Sequence, residues 1–153
     1  ILLDLLDHVA QQQELAEVIF VDGNGYLHPR RAGVASHLGV LTNLRTVGVG
    51  KKLLCGKVDL DQVEPHHPQP VLHEGEILGL AMKAEAGSNP VFVSPGHRMD
   101  VESAQRLARL LFHGHRLPEP IYHADAISRR EAKALMSPAD TAADRWSPPL
   151  ENP

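Results

Sequence analysis

The chain has 153 residues, with 42% hydrophobic and 22% charged, which suits a single globular domain with its own core and argues against a disordered or low-complexity chain. A formal net charge of −4 excludes a generally basic wrapper of nucleic acid but leaves room for a local cationic cleft. The one cysteine cannot form an intramolecular disulfide, no apolar run approaches the ~18 residues of a membrane span, and the first residues lack the basic start of a signal peptide. A chain reading from Ile1 rather than Met is expected to lack an N-terminal portion, and a cytoplasmic location is expected, with the nucleus or nucleolus as alternatives.

Ile1 to Leu15 carries Leu2, Leu6, Val9 and Ala10 at helical spacing, which predicts an amphipathic helix. Val18 to Val21 is a short apolar run that reads as a buried strand, and it ends on Asp22 and a Gly23-Asn24-Gly25 turn. Ligands of open α/β sheets gather beyond the carboxyl ends of strands, so Asp22 stands where a metal-binding or catalytic acid would stand. Gly33 to Leu41 predicts a close-packed helix bearing His37. Thr46 to Gly50 predicts a second buried strand, followed at once by Lys51 and Lys52.

Three prolines between Glu64 and Pro70 predict a loop, and Val71 to Lys83 predicts two strands around a tight turn at Gly75-Glu76. Val91 to Ser94 reads as a further strand, broken by Pro95-Gly96-His97-Arg98 before Asp100 caps a helix with Val101, Ala104, Leu107, Ala108 and Leu111 on one face. After the rigid Arg116-to-Pro120 turn a last helix runs towards Leu135, with Asp125 in its early turns. Residues 1–136 are expected to form the catalytic portion and residues 137–153, rich in proline and poor in apolar side chains, a disordered tail. Strands alternating with helices favour an α/β layer.

Asp22, His28, Lys51, His97 and Asp125 all fall near element ends and are the candidates for chemistry. If the strands over 18–21, 47–49 and 91–93 share one sense, Asp22, Lys51 and His97 reach one edge of the sheet. Carboxylates there suit Mg²⁺ and phosphodiester hydrolysis, a lysine suits a phosphate or developing negative charge, and a histidine suits the attacking water or the leaving oxygen. The adjacent His66 and His67 lie in a proline-rich loop and are not expected to ligate zinc. A Gly-x-x-x-x-Gly-Lys phosphate loop and a serine-nucleophile elbow are absent.

Five strings occur together in one order: Val21-Asp-Gly-Asn-Gly-Tyr-Leu-His28, Gly33-Val-Ala-Ser-His-Leu-Gly-Val-Leu-Thr42, Val47-Gly-Val-Gly-Lys-Lys-Leu53, Ser94-Pro-Gly-His-Arg-Met99, and Leu117-Pro-Glu-Pro120 followed by Ala124-Asp125. In these, from about Val18 to Glu131, the chain resembles the endonuclease V family of deoxyinosine 3′ endonucleases. The resemblance implies a ribonuclease-H-like α/β fold, a mixed sheet flanked by helices and N-terminally truncated here. It also implies hydrolysis of the second phosphodiester bond 3′ to inosine in DNA or RNA with Mg²⁺, Mn²⁺ serving as an alternative, by a protein that is monomeric at full length. By the same resemblance Asp22 and Asp125 correspond to metal-binding carboxylates, Lys51 to a catalytic lysine and His28 to a histidine that contributes to activity. His97 corresponds to a characteristic turn with a supporting role. Gly23, Gly25, Gly33, Val34, Gly48 and Leu54 correspond to a pocket that receives the flipped base.

Family members also carry, ahead of the matched region, a strand with another metal-binding Asp, a Tyr-Ile-Pro-Gly wedge and a Phe-Arg-Glu; none is present here. The chain on its own is therefore expected to be inactive or nearly so, and a non-catalytic inosine-binding module is the alternative. Gly50 stands where the family usually has alanine.

Overall fold

The computed structural model describes residues 1–135. Its elements run α1 (Leu2–Gln12), β1 (Val18–Asp22), α2 (Val34–Thr42), β2 (Arg45–Gly50), a 3-10 turn (Leu60–Gln62), β3 (Gln69–His73), β4 (Glu76–Met82), β5 (Val91–Pro95), α3 (Val101–Leu110) and α4 (Glu119–Leu135). The chain divides into two units, Ile1–Tyr122 and His123–Pro153; the described part of the second is the run of α4 from His123. The tail expected over 137–153 lies outside the described residues.

The first unit is built on one mixed sheet in the order β1-β2-β5-β4-β3. β1 and β2 are parallel, joined by the α2 crossover, while β2–β5, β5–β4 and β4–β3 are antiparallel. Side chains alternate across the sheet as strand geometry requires. Val47, Val49, Val91, Val93, Leu80 and Met82 pack with Ala104 and Ala108 of α3, and with Leu117 and Ile121. Phe92, Ala81 and Leu78 face the other way, towards Leu27, Val63 and Val71, and Val21 meets Ala35 and Leu38 of α2. The register shift between Val71 and Leu72 leaves Leu78 as the extra residue on β4, which explains how Leu78 and Ala81, three apart, reach the same face.

Local sequence accounts for several junctions. Asp100 accepts from Ser103 N–H at 2.7 Å and so caps α3. Glu74 and Gly75, with φ of 52° and 83°, make the two-residue turn between His73 and Glu76, the left-handed pair that suits a tight hairpin. Pro70, expected in a loop, lies instead within β3; the strand is at the sheet edge, where a residue without an N–H is tolerated. Buried Thr46 ties three segments: its Oγ1 donates to Ala35 O at 2.7 Å and accepts from His97 N–H at 2.9 Å. No helix among the described residues is long and apolar enough to cross a membrane.

Candidate active site

The parallel pairing of β1 with β2 places Asp22 opposite Val49, so the carboxyl ends of both strands open on the same edge. Lys51 follows Gly50 directly, and its Nζ donates to Asp22 Oδ2 at 2.7 Å. Both side chains are partly exposed, 33% for Lys51 and 47% for Asp22, so the pair adds little to stability and remains open to a ligand.

The β1–α2 loop runs back over the sheet from Asp22, and the chain stacks tightly there. Gly33 N donates to Gly25 O at 2.9 Å, Ala35 N to Asn24 O at 3.1 Å, and Gly25 N to the buried Ser94 Oγ at 3.0 Å. A Cβ at Gly33 would strike the Asn24 carbonyl, and one at Gly48 would strike Gly25 N and Gly23 O, so these two positions admit only hydrogen because backbone occupies the space.

Outside this stack opens a cavity of about 470 Å³ lined by Asn24, His28, Arg30, Ala32, Gly33, Val34, His37 and Leu54. His28, Gly33, Val34 and Leu54, distant in sequence, thus meet at one concavity. Gly23 adjoins it through Val34, whereas Gly25 and Gly48 stand one layer behind, in the backbone wall. Val34 and Leu54 are exposed apolar lips, 40% and 51% accessible. Arg30 and Ala32 did not stand out in the sequence, and His37 only as a helix residue; its place one helical turn after Gly33 was the available signal.

The ring of His28 is oriented by its own turn. Arg30 N–H donates to His28 Nδ1 at 3.1 Å, so the neutral imidazole carries its proton on Nε2. Asn24 Oδ1 is buried without a partner among the described residues. Burial pushes the Cys55 thiol above its ordinary pKa, the Arg31 charge opposing this in part.

His97 is not part of this edge. The sequence-based expectation required β5 to share the sense of β2; it is antiparallel, with Val47 opposite Pro95. The carboxyl end of β5 therefore lies at the amino end of β2, where Thr46 N donates to His97 O at 3.1 Å and the His97 Cβ packs against Gly39 of α2. Its observed contacts are those of a structural turn. Asp125 belongs to the second unit, where it pairs with Arg129 Nη2 at 2.9 Å along α4. No group of three His, Cys, Asp or Glu side chains arranged for a metal ion occurs among the described residues, His66 and His67 included. Asp22 is an accessible carboxylate at a strand end, a donor of the type that a hard cation keeping most of its waters takes.

Comparison with known proteins places the chain in a family. The family profile of endonuclease V matches residues 1–126. The solved structure of the catalytic domain of human endonuclease V is 39% identical, with a TM-score of 0.79 over 88% of this chain and 60% of that one. The Streptomyces avermitilis endonuclease V is 39% identical with a TM-score of 0.68, over 77% and 52%. The Ciona intestinalis endonuclease V, solved with a 24-mer DNA containing an inosine followed by a ribo-adenosine, is 34% identical with a TM-score of 0.70, over 87% and 61%. The chain spans about three fifths or less of the length of these relatives. Its mixed α/β sheet flanked by helices is the one expected from the sequence and the one these structures share. On the extent of the profile match and the identity to solved members, the chain belongs to the endonuclease V family.

Proposed function

We propose that this chain carries the core of a metal-dependent endonuclease that hydrolyses the second phosphodiester bond 3′ to an inosine in DNA or RNA. The observation that carries the reading is the Lys51–Asp22 pair at two parallel strand ends, on the same strand-to-loop edge as a glycine-backed cavity. A cavity of about 470 Å³ lies within the range of small-molecule sites, roughly 300–1,000 Å³. Its apolar lips, Val34 and Leu54, suit the faces of an unstacked base.

Asp22 would hold Mg²⁺, with Mn²⁺ as a substitute, and Asp125 is carried as a second metal carboxylate on sequence resemblance alone. When bound, the ion supplies Lewis acidity at the phosphate and an acidified water. Lys51 Nζ, held by Asp22, delivers positive charge to a phosphoryl oxygen as negative charge builds there. His28, with its proton fixed on Nε2, donates a hydrogen bond to the strand beside the cavity. Arg30, His37 and Lys52 add cationic or hydrogen-bonding groups in an otherwise acidic chain, which favours the sugar-phosphate backbone. A monomer acting in the cytoplasm or nucleus accompanies this reading.

This chain by itself is expected to cut weakly or not at all, while the described residues nevertheless assemble the cavity. The same observation favours a second reading, an inosine-binding module without catalysis. Full-length protein and this chain are to be incubated with an inosine oligonucleotide and Mg²⁺. A cut at the second bond by the full-length protein, lost in Asp22→Ala, supports the nuclease; an unchanged rate in that variant removes it. Binding by this chain that does not distinguish inosine from guanosine at moderate salt removes the second reading.

A further inference from the structure

Arg116 precedes the buried Leu117 and Pro118 on the turn between α3 and α4, and its exposed guanidinium reaches back to the sheet. Nε donates to Asn89 O at 3.2 Å, and Nη2 donates to both Pro90 O and Lys51 O, each at 3.2 Å. All three acceptors are main-chain carbonyls, drawn from the exit of β2 and the entry to β5. These two places adjoin because the strands are antiparallel: Gly50 pairs with Phe92, and there the ladder between them ends. Pro90 has no N–H with which to continue it. Beyond Gly50 the backbone of Lys51 has left the ladder, and the Arg116 fork supplies the donor that holds its carbonyl.

We propose that Arg116 is a positioning residue for Lys51: it fixes the Lys51 backbone beyond the end of β2 so that Nζ meets Asp22. The inference rests on the reading of Lys51 as the group that meets the scissile phosphate. A planar guanidinium serves three carbonyls in a fixed fork, which the compact ammonium of a lysine on a flexible stem does not reproduce. The anchoring is one-sided by design of the chain, since Leu117 is 8% accessible and belongs to the main core while the guanidinium spans open surface. Loss of the fork frees the carrier of the charge without removing the charge, and a misplacement of about 1 Å costs on the order of 10²-fold in rate.

The test uses the full-length protein with Arg116→Ala and Arg116→Lys. On an inosine oligonucleotide with Mg²⁺, Arg116→Ala is expected to lower kcat by about 10- to 100-fold with KM changed by less than about threefold. Millimolar guanidinium chloride should recover part of the Arg116→Ala loss and none of an Asp22→Ala loss, and Arg116→Lys should recover only part. A second readout needs no cleavage: with lysines ¹³C-methylated, the Lys51 resonance, assigned by its absence in Lys51→Arg, should be dispersed in the wild type and move to the position of a mobile lysine in Arg116→Ala. An unchanged kcat, an unchanged Lys51 resonance, or a kcat loss that merely follows a lowered Tm would overturn the proposal. Should the full-length protein fail to cut inosine substrates at all, the nuclease reading falls, while the resonance still decides whether Arg116 holds Lys51.

Discussion

Lys51 Nζ donates to Asp22 Oδ2 across 2.7 Å, joining the residue after β2 to the last residue of β1, 29 positions earlier in the chain. The pair exists because β1 and β2 are parallel and in a register that ends both strands together. Both groups are partly exposed, so the contact contributes only about 0–1 kcal/mol to stability. Replacing Lys51 by Ala is therefore expected to leave Tm within about 4 °C while lowering cleavage by the full-length protein by about 10²- to 10³-fold. Thermal unfolding followed by circular dichroism, alongside single-turnover cleavage, checks both halves.

Gly48 and Gly50, two residues apart on β2, should differ sharply in their tolerance of alanine. At Gly48 the added Cβ meets Gly25 N and Gly23 O, backbone that cannot move without dislodging the loop. A loss of about 1–3 kcal/mol is expected. At Gly50 it meets Asn24 Oδ1 at 2.6 Å, the end of a side chain rather than backbone, and an oxygen with no hydrogen-bond partner among the described residues. Urea titrations should show Gly48→Ala much the weaker protein and Gly50→Ala near wild type.

The neutral His28 imidazole should carry its proton on Nε2, because Nδ1 accepts from Arg30 N–H at 3.1 Å. Long-range ¹⁵N correlation spectra of the imidazole rings report this tautomer directly. A protonated Nδ1 in the neutral ring would show that the turn does not orient the side chain.

Cys55 should react slowly with iodoacetamide at neutral pH. Burial disfavours its thiolate, and the opposing Arg31 charge offsets this only in part, so the midpoint of the rate against pH should lie above the ordinary thiol value of about 8.5. Denaturation should return it to that value.

Asp100 makes stability depend on acid. Its carboxylate accepts from Ser103 N–H and Ser103 Oγ–H, at 2.7 and 2.9 Å, which holds its folded pKa below the ordinary value. A depressed folded pKa means that the cap's contribution is complete above the unfolded value of about 3.9 and is lost as pH falls through the lower folded one. Asp100→Ala should therefore lower Tm by a few degrees at pH 7, and the gap to wild type should narrow only below about pH 4. A gap that persists unchanged to pH 2 would contradict the assignment.

Most elements were legible from local pattern. The strand ending at Asp22, the cap at Asp100, the helix with Ala104 and Ala108 inward, and the break before Lys51 all follow from apolar spacing and from residues whose backbone preferences are strong. Pro70 reads as loop yet lies in edge strand β3, because a proline's effect depends on whether its strand lies at the edge, which one segment does not reveal.

The sequence by itself determined which residues could carry chemistry and, through five ordered strings, the family to which they belong. Only the tertiary structure decided which of them meet. Strand sense is set by how whole elements pack, so the antiparallel β5 sent His97 to the far end of β2 although its own turn reads much like the one after Asp22. The family resemblance groups Gly33, Val34 and Leu54 in one pocket, but no periodic pattern joins them to His28, Arg30 and His37, and they meet only where Gly33 and Gly48 let separate stretches of backbone come within contact distance.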